Sequence, residues 1–183
     1  MALKPTIYKF KIAISDFDHN YYDTLNLTVA QHPSENLERM LARIMAFCIH
    51  KAGDQQNLLQ FTKGLSSVEE PDIWQKTLDD QLQLWIDVGE PSYDRIKKAC
   101  RLAQKTCVYS FNSKSDVWWQ QSQAQFSNLP VSIYQFDWES IKTLSANITR
   151  TMDLSITISD QTIYLAMAEE QLELSWRELQ KSL

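Results

Sequence analysis

The chain has 183 residues, 44% of them apolar and 22% charged, with three Gly and five Pro. That composition excludes disordered, collagen-like and low-complexity chains, and a chain of this length buries about 70% of its unfolded surface without help from a disulfide or structural metal. Eighteen basic residues against 23 acidic ones, a net charge of −5, argue against a high-affinity non-specific grip on phosphates, while leaving a local basic groove or an enzyme open.

Tyr8, Phe10, Ile12 and Ile14 alternate with polar or small residues, the period of a strand. The turn-rich run 15–20 follows, and residues 21–29 read as a second strand, completing an N-terminal hairpin. His32-Pro33-Ser34-Glu35 marks a helix start, with Ser34 as its expected N-cap and Glu35 and Glu38 in the first turn. Leu37, Leu41, Ile44, Met45, Cys48 and Ala52 recur at helical spacing, and Gly53 suits the stop. A short strand is expected at residues 58–61. Residues 72–78 and 82–89 then form a hairpin around Asp79-Asp80-Gln81. Leu82, Leu84, Ile86 and Val88 lie on one face of the return strand, and Gln83, Trp85 and Asp87 on the other.

Pro91-Ser92 opens a second helix, and residues 106–111 read as a strand. A helix between two strands is a crossover, which predicts a parallel pair and an α/β core. Further on, the pattern suggests a helix at 117–126, a strand at 131–136, a short helix at 138–144 and a hairpin from 154–158 and 163–167. Residues 169–180 are expected to form a polar-faced terminal helix. No repeat or linker divides the chain, so residues 1–183 are taken as one domain.

Cys48, Cys100 and Cys107 lack C-x-x-C spacing and read as small apolar packing residues. No charged-then-apolar leader opens the sequence, and runs such as Met45–Ile49 are too short to span a bilayer. The expectation is a reduced cytoplasmic protein with no membrane partner. His19, His32 and His50 lack ligand spacing, and no phosphate-loop, nucleophile-elbow or H-E-x-x-H motif occurs. Trp118 and Trp119 cannot both face inward from one helix, so one of them is expected at the surface, pointing weakly to a partner.

Three carboxylates stand out. Glu38 borders the apolar stripe of the first helix. Asp72 begins one hairpin strand and Asp87 ends the other, so the antiparallel arrangement puts them at the same end. Two adjacent carboxylates repel unless a proton or divalent cation relieves them, and Mg²⁺ binds through such pairs.

Pro71-Asp72-Ile73-Trp74, Leu84-Trp85-Ile86-Asp87-Val88-Gly89 and Arg95-Ile96-Lys97-Lys98-Ala99 closely resemble the YaeQ family of small bacterial proteins, as do 4–10, 32–35 and 61–66. The resemblance covers essentially the whole chain. It implies a variant of the PD-(D/E)xK, restriction-endonuclease-like fold: a mixed sheet flanked by helices, with added N- and C-terminal β-hairpins. In that superfamily one acid follows Pro, a second precedes a lysine by two positions, and a third often comes from the preceding helix. Asp72 fills the first role, Asp87 the second, and Glu38 is the candidate for the third, together holding Mg²⁺ or Mn²⁺. Gly89 stands where the lysine is expected, which leaves two readings. In one, a lysine has migrated to Lys97 or Lys98 (Lys76 and Lys63 being weaker stand-ins) and the protein hydrolyses nucleic-acid phosphodiesters. In the other, the site no longer cuts and the scaffold binds a protein or nucleic-acid partner.

Overall fold

The computed structural model describes residues 3–182. In chain order the elements are β1 (Thr6–Asp16), β2 (Tyr21–Gln31), α1 (Leu37–Lys51), β3 (Leu59–Phe61), a 3₁₀ turn (Gly64–Ser66), β4 (Ile73–Lys76), β5 (Leu82–Val88), α2 (Tyr93–Leu102), β6 (Lys105–Ser110), α3 (Ser115–Phe126), β7 (Val131–Phe136), α4 (Trp138–Ser145), β8 (Thr151–Ser159), β9 (Thr162–Met167) and β10 (Glu170–Gln180). All ten strands join one mixed sheet in the order β2-β1-β8-β9-β10-β7-β6-β5-β4-β3. Among the described residues no helix is long and apolar enough to cross a membrane.

The expected crossover is present. β5, β6 and β7 run parallel, connected by α2 and α3 on one face of the sheet, while α1 and α4 cover the other. Cys107 and Tyr109 of β6 face the large core shared with α1 and α4, while Val108 between them faces a smaller core with Ile96 of α2 and Phe126 of α3. Two-sided burial also explains β5, where Trp85 and Asp87 are buried along with Leu84 and Ile86.

Three sequence expectations are corrected. Residues 169–180 are strand, not helix: Leu172, Leu174 and Trp176 recur every second residue and face the core. The intervening Gln171, Glu173, Ser175 and Arg177 are exposed, so what looked like a polar helix face is the solvent side of a strand. That strand joins the halves of the sheet by pairing with both β9 and β7. The α1 cap is Asn36, whose side chain accepts from the Arg39 N–H at 2.9 Å, while Ser34 bonds the His32 ring. Shifting the cap moves Glu35 out of the helix and into the interior, at 6% exposure. Trp118 and Trp119 are both half-buried on the smaller core, and the Trp118 indole N–H donates to the Pro91 carbonyl at 3.2 Å. The surface argument for a partner at that pair therefore loses its basis.

His50, in the last turn of α1, has its Nε2 2.9 Å from the Tyr109 hydroxyl. Burial pushes the imidazole down to about 3, with smaller contributions from Lys105 and His19. A neutral ring in the fold and a titrating one in the unfolded chain give stability that is full above pH 6.5 and falls as pH drops toward about 3. The ring keeps some exposure, so about 1 kcal/mol across pH 6.5 to 4.5 is the expected share. Urea denaturation of wild type and His50→Gln at both pH values measures it: the variant should lose less stability on acidification than wild type does.

Candidate functional site

The β4–β5 register pairs Ile73 with Ile86, and the Asp72 N–H donates to the Ile86 carbonyl at 3.0 Å. That register carries Asp72 across from Asp87. Both line one cleft of about 420 Å³, together with Gly64, Val68, Glu90 and Asn112. The cleft opens at the carboxyl ends of parallel β5 and β6, the edge at which open α/β sheets hold ligands.

Every carboxylate oxygen at this place already has a donor. Asp72 accepts from Arg39 through Oδ1 at 2.7 Å and from the Val88 N–H through Oδ2 at 2.7 Å. Asp87 is gripped by both arms of Arg95, Nε to Oδ2 at 2.7 Å and Nη2 to Oδ1 at 2.9 Å. Arg95 also donates to the carbonyls of Val68 (2.7 Å) and Glu70 (2.9 Å), tying the loop before β4 to the cleft. Its guanidinium carbon lies 5.6 Å from the centre of the Trp85 ring. Arg39 reaches back to Glu35 at 2.8 Å, and Glu35 is held through both oxygens by Arg43 at 2.7 Å. Three carboxylates and three guanidiniums thus form a charge-balanced set beneath the surface. Fork-to-carboxylate pairs are among the strong hydrogen-bonded contacts, which lets the fold keep these charges buried. Burial raises the Asp87 carboxyl above its ordinary range and nearby Asp72 adds to the rise, while Arg95 opposes it.

The other expected residues lie elsewhere. Glu38 is half-buried on α1 and makes no hydrogen bond or ion pair among the described residues; Glu35, three residues earlier, is the acid linked to Asp72 through Arg39. Lys97 extends over the Tyr93 ring at 5.5 Å, and Lys98 pairs with exposed Glu69. Neither lysine lines the cleft. Lys76 bonds Asp80 and lies over Trp74. Gly89 has a φ of +118°, with open space where a Cβ would stand, so backbone conformation rather than crowding disfavours a lysine there.

Sequence reasoning missed the arginines. A signal existed: Glu35, Arg39 and Arg43 repeat every fourth residue, the spacing of one helical row. Arg95 is the first-turn residue of α2 that turns back toward the end of β5.

As they stand, these residues do not fit a divalent ion. Among the described residues no three His, Cys, Asp or Glu side chains gather closely enough to hold one, and a guanidinium already occupies the charge position against Asp87. The buried Trp85 indole N–H lies near enough to Asp87 to favour its ionised form, although among the described residues it meets no partner at hydrogen-bond distance.

Comparison with known proteins places this arrangement in context. The family model described as YaeQ protein matches residues 1–176. The chain is 41% identical over 179 residues to the uncharacterised protein YaeQ of Escherichia coli K12, covering 96% of each, and 42% identical over 178 residues to that of Salmonella typhi, covering 95% of each. Among solved structures, YaeQ from Xanthomonas axonopodis pv. citri superposes with a TM-score of 0.90 at 29% identity, covering 97% of this chain and 99% of that one. YaeQ from Pseudomonas syringae gives 0.89 at 31% identity, covering 97% of each.

Proposed function

The chain belongs to the YaeQ family, and from that premise we propose that it carries a restriction-endonuclease-like, PD-(D/E)xK-derived core whose cleft binds a cytoplasmic partner, nucleic acid or protein, without cutting it. The observation that carries this reading is the two-armed grip of Arg95 on Asp87, at 2.7 and 2.9 Å. A cation that belongs to the chain fills the place in which a nuclease would hold a metal. The lysine required to assist a water is also missing from position 89, and neither Lys97 nor Lys98 reaches the cleft. Hydrolysis then lacks both its electrophile and its proton-handling cation.

Metal-dependent phosphodiester hydrolysis is the second reading. It is favoured by the way Asp72 and Asp87, fifteen positions apart in sequence, open into one cleft. Calorimetry with Mn²⁺ separates the two. Wild type is expected to give no binding heat at millimolar Mn²⁺ and no cleavage of mixed DNA and RNA substrates. Cleavage that Mn²⁺ switches on and Asp87→Ala abolishes would make the second reading the correct one.

A further inference from the structure

β2 is an edge strand of eleven residues, whereas the opposite edge, β3, has three. Long open edges invite pairing, and proteins usually blunt them with lysine, proline, bulges or a covering element. β2 has no Lys, Arg or Pro, a single charge (Asp23), and a bulge-free register with β1 from Thr6↔Gln31 to Asp16↔Tyr21.

Which backbone groups face outward follows from three independent contacts. The Lys9 N–H donates away from β2, to the Arg150 carbonyl on the β8 side, at 2.8 Å. Its β2 partner Thr28 must therefore point its own N–H and C=O outward, since facing residues of an antiparallel pair either bond each other or both turn away. The even-numbered residues of β2 share that direction. Consistently, the Ala30 carbonyl is taken by Arg43 at 3.0 Å, and the Thr24 N–H by the carboxylate of its neighbour Asp23 at 2.7 Å. Between those two stoppers the outward groups of Asn26 and Thr28 meet no protein partner among the described residues. Thr24, Asn26 and Thr28 are all exposed.

The open run is Thr24-Leu25-Asn26-Leu27-Thr28, which reads the same in both directions. We propose that this palindromic edge pairs antiparallel with its own copy about a two-fold axis at Asn26, making the protein a β2–β2 dimer. In that register Thr24 meets Thr28 of the second copy, Leu25 meets Leu27 and Asn26 meets Asn26, so each residue type faces itself. Such an isologous contact repeats every off-axis pair twice. Thr–Thr pairs and the apolar pair on the core-facing side suit neighbouring strands, and no like charges are opposed. Asp23 acts as a gate, because its carboxylate must release the Thr24 N–H before that residue can bond across the axis. One strand pair covers less than the roughly 1,600 Å² of a standard stable interface, so the dimer is expected to dissociate on dilution, at micromolar concentration or above.

Sedimentation equilibrium of the full chain tests this. Wild type should show a concentration-dependent monomer–dimer equilibrium. Asp23→Ala, which frees the Thr24 N–H, should tighten it. Asn26→Lys, which puts two ammonium groups at the axis, should weaken it at least tenfold while circular dichroism stays unchanged. As a register check, oxidised Asn26→Cys should give a covalent dimer, whereas Tyr22→Cys, which lies away from the axis, should not. Wild type that stays monomeric at millimolar concentration, or a dimer indifferent to Asn26→Lys, overturns the proposal. So does association only with a foreign strand.

Discussion

Arg95→Ala is expected to cost about 3 kcal/mol of folding stability and to change what the cleft can bind. The cost comes from the group left behind: the Asp87 side chain is only 3% exposed, and breaking a buried pair from one side leaves an uncompensated charge, at a cost of about 3–5 kcal/mol. The lower end applies because Arg95 itself is 28% exposed, so water can partly replace it. Chemical denaturation measures the loss, and the double variant Arg95→Ala/Asp87→Asn should recover much of it, because the neutral amide no longer needs a counter-ion. The same substitution frees the Val68 and Glu70 carbonyls, so amides of residues 67–70 should exchange faster with solvent. It also vacates the charge position against Asp87, and the single variant should then bind Mn²⁺ in calorimetry where wild type does not. If Arg95→Ala unfolds no more readily than wild type and still ignores Mn²⁺, the guanidinium is not standing in for a cation.

How far the sequence foretold this cleft depends on which kind of signal each residue carries. Asp72 and Asp87 were legible because antiparallel pairing alone fixes that the first residue of one hairpin strand lies beside the last of the next. The parallel β5–β6 pair was legible for a similar reason, since an intervening helix forces a crossover. β10 was misread because Glu170, Glu173, Arg177 and Glu178 suggested the charged face of a helix, whereas Leu172, Leu174 and Trp176 carried the weaker alternating signal that tertiary pairing amplified. The arginines were missed for a different reason. Arg39 and Arg95 stand near helix starts, positions where a surface arginine is ordinary, and only the three-dimensional approach of α1 and α2 to the β5 end draws them in and reveals their partners. Glu38 was singled out because it borders the apolar stripe of the first helix, whereas Glu35 was read only as a first-turn residue. The Asn36 cap changes which acid lies inside.

The second large effect is expected at Glu35. Its side chain is 1% exposed and holds Arg43 (5% exposed) and Arg39 (17%) at once. Glu35→Ala leaves one guanidinium almost wholly buried, with only the Ala30 carbonyl and the face of Phe61 for company, and deprives the other of one of its two carboxylates. An expected loss of about 4–5 kcal/mol follows from the cost of orphaning a buried charge, against a total stability of about 5–15 kcal/mol for a domain of this kind. Thermal and urea unfolding should therefore show either a strongly lowered midpoint or a chain already partly unfolded at room temperature. Glu35→Gln keeps the shape and one acceptor oxygen but not the charge, and turns a donor NH₂ toward the guanidiniums, so it should fall between wild type and alanine. Glu35→Ala/Arg43→Leu removes the charge on both sides and should be more stable than Glu35→Ala alone, because apolar packing substitutes well for a buried ion pair. The contrast with Glu38→Ala is the sharpest control. That residue has no ion-pair partner among the described residues, so a loss at Glu38 as large as that at Glu35 would mean that the acid organising this end of α1 has been wrongly assigned.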